Sequence, residues 1–302
     1  MNHRPTEHIP VLLDEVLERL DPQPGQVFVD GTAGGGGHLL AIAERLGPKG
    51  LALGVDRDPL AIERIEALGE ALDETLDEEL PIALECDSYA RIPRILAGHD
   101  IQGVDGILLD LGLSSDQLAE TDRGFSFNVD GPLDLRFNPQ AGEPAWRMID
   151  RMSAEHLANL IYEYGEERQS RRIARAIVKA REKSPIRTSQ QLAEIIRKSA
   201  PSRSRNEKID PATRTFQALR IAVNQELQEL DAALKVLPDC LLPGGKLAII
   251  SFHSLEDRPV KQSFRDDLRL EVITRKPIRP GVEEIARNSR SRSAKLRVAC
   301  RV

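Results

Sequence analysis

One segment constrains this chain more than any other: Val27-Phe28-Val29-Asp30-Gly31-Thr32-Ala33-Gly34-Gly35-Gly36-Gly37-His38, a strand-sized apolar run that ends in an acid and four successive glycines. His38 to Leu46 then has the apolar spacing of a helix. A glycine turn between a strand and a helix lets a ligand lie against backbone N–H groups at the helix start. Two common uses of such a turn are disfavoured by spacing. A dinucleotide fingerprint needs a third Gly or Ala where Leu39 or Leu40 stands, and a phosphate loop needs Lys-Ser/Thr where His38-Leu39 stands.

The surrounding pattern repeats strand and helix. Apolar runs Leu51 to Val55, Pro81 to Leu84 and Val104 to Leu109 are strand-sized, and Pro59 to Leu76 is helix-sized with Leu60, Ile62, Ile65 and Leu68 on a helical period. Alternation of this kind predicts a parallel sheet. About eighty residues after Asp110 carry no strand signal. They hold a Gly-rich stretch with Phe125, Phe127 and Gly131, then a helical region from about 145 to 200 with a capping box at Thr188 and Gln191. A single long helix is expected from Asp210 through Leu230, with Pro211 in its first turn. Sheet signal resumes with a turn at Leu241 to Gly245, a strand over Lys246 to Phe252, a short helix over Val260 to Asp267, and strands at Leu268 to Thr274 and Lys295 to Cys300. The expected fold is α/β, a doubly wound, Rossmann-like sheet interrupted by a helical insertion. Its parts are 1–135, an insertion at 136–209, and 210–302.

With nucleotide hydrolysis and NAD disfavoured, the glycine turn matches a class I S-adenosylmethionine-dependent methyltransferase, in which an acid closes each of the first two strands. Asp30 and Asp56 take those places, and Asp56, 20 residues beyond Gly36, suits the two ribose hydroxyls. Asp30 suits the cationic amino acid end of the cofactor; its plainer reading is a turn residue, and Asp58-Pro59 reads as a helix cap. Asp110 closes the fourth strand, where the methyl acceptor should arrive. Amino-methylating enzymes often have Pro-Pro-aromatic after that acid, and Leu111-Gly112-Leu113 stands there instead. Ser114 and Ser115 can bond a base edge or cap backbone. Downstream, Ser251-Phe252-His253-Ser254-Leu255-Glu256-Asp257-Arg258 offers His253 as a proton acceptor, or as a structural residue before a helix capped by Ser254 and Asp257. A serine hydrolase elbow is absent.

Charge is divided. Residues 1–165 carry 12 Lys and Arg against 31 Asp and Glu, a net of −19, while 166–302 carry 30 against 17, a net of +13. The basic half suggests polyanion binding, against the alternative of ordinary solvated helix faces. Candidate phosphate contacts are Arg168, Arg171, Arg172, Arg175, Lys179, Arg203, Arg205 and Lys208, with Arg290, Arg292 and Lys295 nearer the end. Phe125, Phe127 or Trp146 can receive a splayed-out base or pack in a core. No apolar run approaches the roughly 18 residues of a membrane span. Three dispersed cysteines, Cys86, Cys240 and Cys300, and six scattered histidines suggest neither a disulfide framework nor a metal site. A cytoplasmic location is expected.

Several long blocks resemble the MraW family of bacterial 16S ribosomal RNA methyltransferases. They are His8 to Leu13, the glycine block, Asp110 to Gln117, Arg123 to Phe127, Gly131 to Arg136, Tyr164 to Arg168, Ala212 to Ile221 with Asn224, Ser251 to Arg258, and Asn288 to Arg297. The resemblance implies methylation of a cytosine N4 amine in the decoding region of 16S ribosomal RNA, in the small subunit, by a monomer or weak homodimer. Its cofactor contacts fall on Gly36, Gly37, His38, Asp56, Tyr89, Asp110 and Gln117. Departures are Tyr89 for the usual Phe, Leu135 and Phe137 where Met is commoner, and Ser289 for the usual Pro. The alternatives are a DNA amino-methyltransferase and a non-catalytic, cofactor-sensing ribosome assembly factor.

Overall fold

The computed structural model describes residues 10–73, 80–199 and 210–302. Arg203, Arg205 and Lys208 therefore lie outside the described residues. The chain divides into two compact units, one made of residues 1–114 and 227–302 and the other of 115–226. The insertion expected at 136–209 falls inside the second.

The first unit is built on a seven-stranded sheet ordered β3-β2-β1-β4-β5-β7-β6. Its strands are β1 (Val27–Asp30), β2 (Leu51–Asp56), β3 (Ile82–Cys86), β4 (Val104–Leu111), β5 (Leu241–Ser251), β6 (Leu270–Val272) and β7 (Lys295–Arg301). The first five are parallel, and β7 runs antiparallel between β5 and β6. Successive side chains on a strand point to opposite faces, so a central strand covered on both sides must be apolar throughout. Here Val29, Leu53, Ile107, Leu109, Leu247 and Ile249 join one core. Their immediate neighbours Phe28, Ala52, Leu108, Ala248 and Ile250 join the other. Helices α1 (Leu13–Leu20) and α2 (Gly37–Leu46) cover the second face, while α4 (Ile92–Gly98), α11 (Glu226–Cys240) and α12 (Ser254–Asp266) contribute to the first. Helix α3 (Pro59–Asp73) follows β2, and Asp58 caps it by accepting from the Leu60 N–H at 3.1 Å. The order reverses between β1 and β4, which opens the ligand crevice of a doubly wound sheet at the carboxyl ends of those strands.

The second unit holds α5 (Ser115–Ala119), α6 (Ala145–Arg151), α7 (Ala154–Gly165), α8 (Ser170–Arg181), α9 (Ser189–Ser199) and α10 (Ala212–Asn224). The expected capping box is present at the start of α9: Gln191 N–H donates to Thr188 Oγ1 at 3.3 Å and Thr188 N–H to Gln191 Oε1 at 3.2 Å. At Gly165 a Cβ would lie 2.5 Å from the Arg214 carbonyl, so glycine is what lets α7 and α10 cross closely.

Three local expectations are corrected. The single helix after Asp210 is two, α10 and α11, broken at Gln225 with φ of 54°. Asp210 still caps its start, accepting from the Ala212 N–H at 2.9 Å. The turn at Leu241 to Gly245 is absorbed into β5: Leu241 pairs with Val104, the next pair is Lys246 with Gly106, and the residues between loop out. Finally, the helix after β5 begins at Ser254 rather than Val260, with His253 at the cap. The reciprocal acid is Glu256, which accepts from the Phe252 and His253 N–H groups at 2.8 and 3.3 Å. Asp257 instead holds Lys295 and Arg297 at 3.1 and 2.7 Å. Downstream, α13 (Val282–Arg287) and a 3-10 turn at Ser289–Ser293 lead into β7.

Candidate active site

Three carboxylates converge at the crevice because each closes a parallel strand on the same sheet edge. Asp30 ends β1 and is 2% exposed; its Oδ1 accepts from the Thr32 N–H at 3.1 Å and lies 3.4 Å from the Thr32 hydroxyl. It is thus a turn residue as well as an acid of the site. Asp56 ends β2 and locks the glycine turn from beneath, Oδ2 accepting from the Gly34 N–H at 2.8 Å and Oδ1 from the Asp58 N–H at 2.9 Å. Both oxygens keep further lone pairs. Asp110, next to last in β4, has a buried Oδ1 with no hydrogen-bond partner among the described residues. Thr32 links two of these strand ends, since its hydroxyl also accepts from the Asp110 N–H.

Crowding acids in a largely buried crevice opposes their ionisation. Burial pushes Asp110 up to about 8, with Asp30 and Glu256 adding repulsion and Arg290 opposing it. Burial also raises Asp30 to about 7, the hydrogen bonds from Thr32 partly offsetting this and Asp56 adding repulsion. Asp56 rises to about 6, again through burial, partly offset by the Asp58 and Gly34 N–H groups. Such a cluster favours a cationic ligand.

The glycine turn supplies the floor. Gly36, with φ of 80°, sits at the cap of α2, and a Cβ there would lie 3.2 Å from Ile65 Cγ1. Gly37 opens α2, and His38 follows with its ring buried. His38 Nε2 is 3.0 Å from the Val11 carbonyl and Nδ1 is 3.9 Å from Asp110 Oδ2. Tyr89, 9% exposed, starts a 3-10 turn after β3 and packs near Gly31, whose Cβ would lie 3.0 Å from Tyr89 Cβ. Ser114 lies beyond β4, near the glycine turn: a Cβ on Gly34 would stand 3.6 Å from Ser114 Cβ. The orphaned Asp110 oxygen, the acid cluster and the backbone-lined turn fit S-adenosylmethionine, which carries a sulfonium, an ammonium and a ribose diol.

His253, at the cap of α12, places Nε2 2.9 Å from Glu256 Oε1. Gln117 is buried on α5 and belongs to the second unit. Also there, Arg168 precedes α8, while Arg171, Arg172, Arg175 and Lys179 are exposed along it. Phe125 is buried and stacks on Phe137 with centroids 5.8 Å apart. Phe127 packs on Phe216 at 4.9 Å, and Trp146 carries the Arg187 guanidinium 4.4 Å from its ring centre. At the C-terminal end, Arg292 is exposed, Lys295 is held by Asp257, and Arg290 Nη2 donates to the Leu113 carbonyl at 2.7 Å. Sequence reasoning gave Thr32 no role, and counted Glu256 among the acids of its block while assigning the reciprocal cap to Asp257. Thr32 had a signal in its place between the strand-end acid and the glycines; Glu256 had one in its three-residue spacing from His253.

The family model described as the MraW methylase family matches residues 5–302. Ribosomal RNA small subunit methyltransferase H of Rhodopirellula baltica is 48% identical over 305 residues, covering 98% of this chain and 92% of its own. The protein of that name from Thermomicrobium roseum is 48% identical over 316 residues, covering 98% and 94%. That from Acidobacterium capsulatum is 47% identical over 296 residues, covering 97% of each. With the acid-closed parallel strands and glycine turn already in place, these matches over nearly the whole length make the chain a member of the MraW methylase family.

Proposed function

We propose that this protein methylates the N4 exocyclic amine of a cytosine in the decoding region of 16S ribosomal RNA, using S-adenosylmethionine. The observation that carries the reading is Asp110 Oδ1, a buried oxygen with no hydrogen-bond partner among the described residues, at the end of β4 in a crevice that fits the cofactor. S-adenosylmethionine, when bound, supplies a methyl group already activated on a sulfonium. Asp56 is held by Gly34 and Asp58 to receive the ribose hydroxyls, and the Gly36-Gly37 turn admits the cofactor against backbone. Asp30 balances the cationic amino acid end. The flat face of Tyr89 packs on the adenine of the cofactor.

A cytosine amine is a weak nucleophile because its lone pair is delocalised into the ring. Ionised Asp110 accepts an amine hydrogen and helps the nitrogen rehybridise, while the protein fixes the approach. Ser114 hydrogen-bonds the base edge, and His253, its Nε2 2.9 Å from Glu256 Oε1, takes the proton onward. Arg168, Arg171, Arg172 and Arg292, all exposed, contact RNA phosphates. The proposed setting is cytoplasmic, with the small subunit as partner and a monomer or weak homodimer as the working form.

Asp110→Ala tests the reading. Turnover should fall by a factor on the order of 10² or more with RNA affinity retained. Unchanged methylation, or an active protein that labels only DNA, would overturn it. An unaltered cell phenotype in a variant that has lost turnover would favour the assembly-factor alternative.

A further inference from the structure

The segment Asn288–Arg297 reads in sequence as part of a basic tail, yet its central arginine is built into the first unit. Arg290 is partly buried, and its guanidinium donates to the carbonyl of Leu113, three residues past Asp110, at 2.7 Å. Its own N–H is held by Asn288 Oδ1 at 3.2 Å. Ser291, fully buried, donates its hydroxyl to the Asn288 carbonyl at 2.8 Å, and the Ala294 N–H returns to the Ser291 carbonyl at 2.8 Å. Asp257 then pins the start of β7 through Lys295 and Arg297. A side chain anchored on such a turn is poorly placed to search for phosphates and well placed to fix one geometry.

The groups facing Asp110 come from four elements. Asp30 on β1 and Glu256 on α12 are acidic, Arg290 is cationic, and His38 on α2 brings Nδ1 to 3.9 Å from Oδ2. We infer that Arg290 is a positioning residue for methyl transfer: it clamps the loop after β4 through the Leu113 carbonyl and supplies positive charge to the Asp110 carboxylate, instead of binding RNA. The inference rests on the proposed methylation of a cytosine amine. It adds a residue whose charge opposes the burial and the repulsion from Asp30 and Glu256 that together hold the Asp110 carboxyl above the usual carboxylate range.

The test compares wild type, Arg290→Gln and Arg290→Lys, with small subunits lacking the modification and labelled S-adenosylmethionine. It reads kcat against pH, and the affinity for the subunits against salt. Removing the charge raises the Asp110 pKa further, so less of it is ionised at a given pH. In Arg290→Gln the acid limb of kcat should move up by roughly 1 pH unit, a roughly tenfold loss at pH 7, with subunit affinity and its salt dependence unchanged. Arg290→Lys keeps the charge and loses the fork, so its limb should stay near that of wild type while the plateau falls. Should Arg290→Gln fail to fold, a lowered plateau in Arg290→Lys still supports the inference and an unchanged one overturns it. An unmoved limb in Arg290→Gln overturns it, as does weaker subunit binding with a shallower salt slope, the mark of a lost phosphate contact. A wild type that forms no N4-methylcytidine overturns the functional reading and this inference together. An active wild type with an unmoved variant limb overturns this inference alone.

Discussion

At Gly36 a single backbone angle decides whether the cofactor turn can form. With φ of 80° and Ile65 Cγ1 3.2 Å from where a Cβ would sit, any other residue is both strained and crowded. Gly36→Ala should therefore cost about 1–2 kcal/mol of stability, by thermal unfolding, and weaken S-adenosylmethionine at least roughly tenfold, by calorimetry. Wild-type affinity would contradict this. Asp30, Asp56 and Asp110 were legible because an acid ending an apolar run has one place to be in a parallel sheet. The partners of those acids were harder to read. Thr32 joins Asp30 to the backbone of Asp110 across neighbouring strands, and Arg290 meets Leu113 from 177 residues away. Such pairings follow from tertiary packing, and local pattern carries no trace of them.

Among the elements, α10 and α11 show what periodicity misses. Apolar spacing continues from Phe216 to Leu230, so the sequence predicts one helix; the chain instead breaks at Gln225, which adopts the left-handed conformation directly after Asn224. Asn224 donates to the Leu135 and Arg220 carbonyls at 2.7 and 2.9 Å and accepts from the Phe137 N–H at 2.8 Å. It thereby secures the segment in which Leu135 adopts φ of 65°. Asn224→Ala strands these buried groups and should cost about 2–3 kcal/mol, read as a lower unfolding midpoint in denaturant; a loss under about 0.5 kcal/mol would contradict that account. The capping box of α9 was legible because it needs only Thr188 and Gln191 on one turn. Helix α8 buries Ile173, Ala174 and Ile177 and exposes Arg171, Arg175 and Lys179 at four-residue intervals, with no acid in the helix. Replacing those three with Ala should reduce the slope of log affinity against log salt by about 2–3 for small subunits, if each meets a phosphate. An unchanged slope would mark the stripe as ordinary solvated surface.

For the molecule as a whole, the clustered acids make stability depend on pH in an unusual direction. Asp30, Asp56 and Asp110 bind protons more tightly folded than unfolded, with folded values of about 7, 6 and 8 against 3.8. Stability therefore falls as pH rises from about 4, where the unfolded acids give up their protons, and levels off above each folded value, where both states are ionised. The thermal midpoint of the cofactor-free protein should drop by roughly 2 °C or more between pH 6 and pH 9, and saturating S-adenosylmethionine should reduce the drop. A midpoint that rises over this range would contradict the burial of these groups. The overall fold was legible because alternating strand and helix signals admit few parallel topologies, whereas the bounds of the inserted helical unit, 115–226, fall where no compositional change marks them. The central claim is the reaction itself. Its direct measurement is to incubate the protein and labelled S-adenosylmethionine with small subunits, bare ribosomal RNA and DNA from cells lacking this activity, then identify the methylated nucleoside by mass spectrometry. N4-methylcytidine in the small-subunit RNA is the predicted result; label confined to DNA, or none despite bound cofactor, would contradict it.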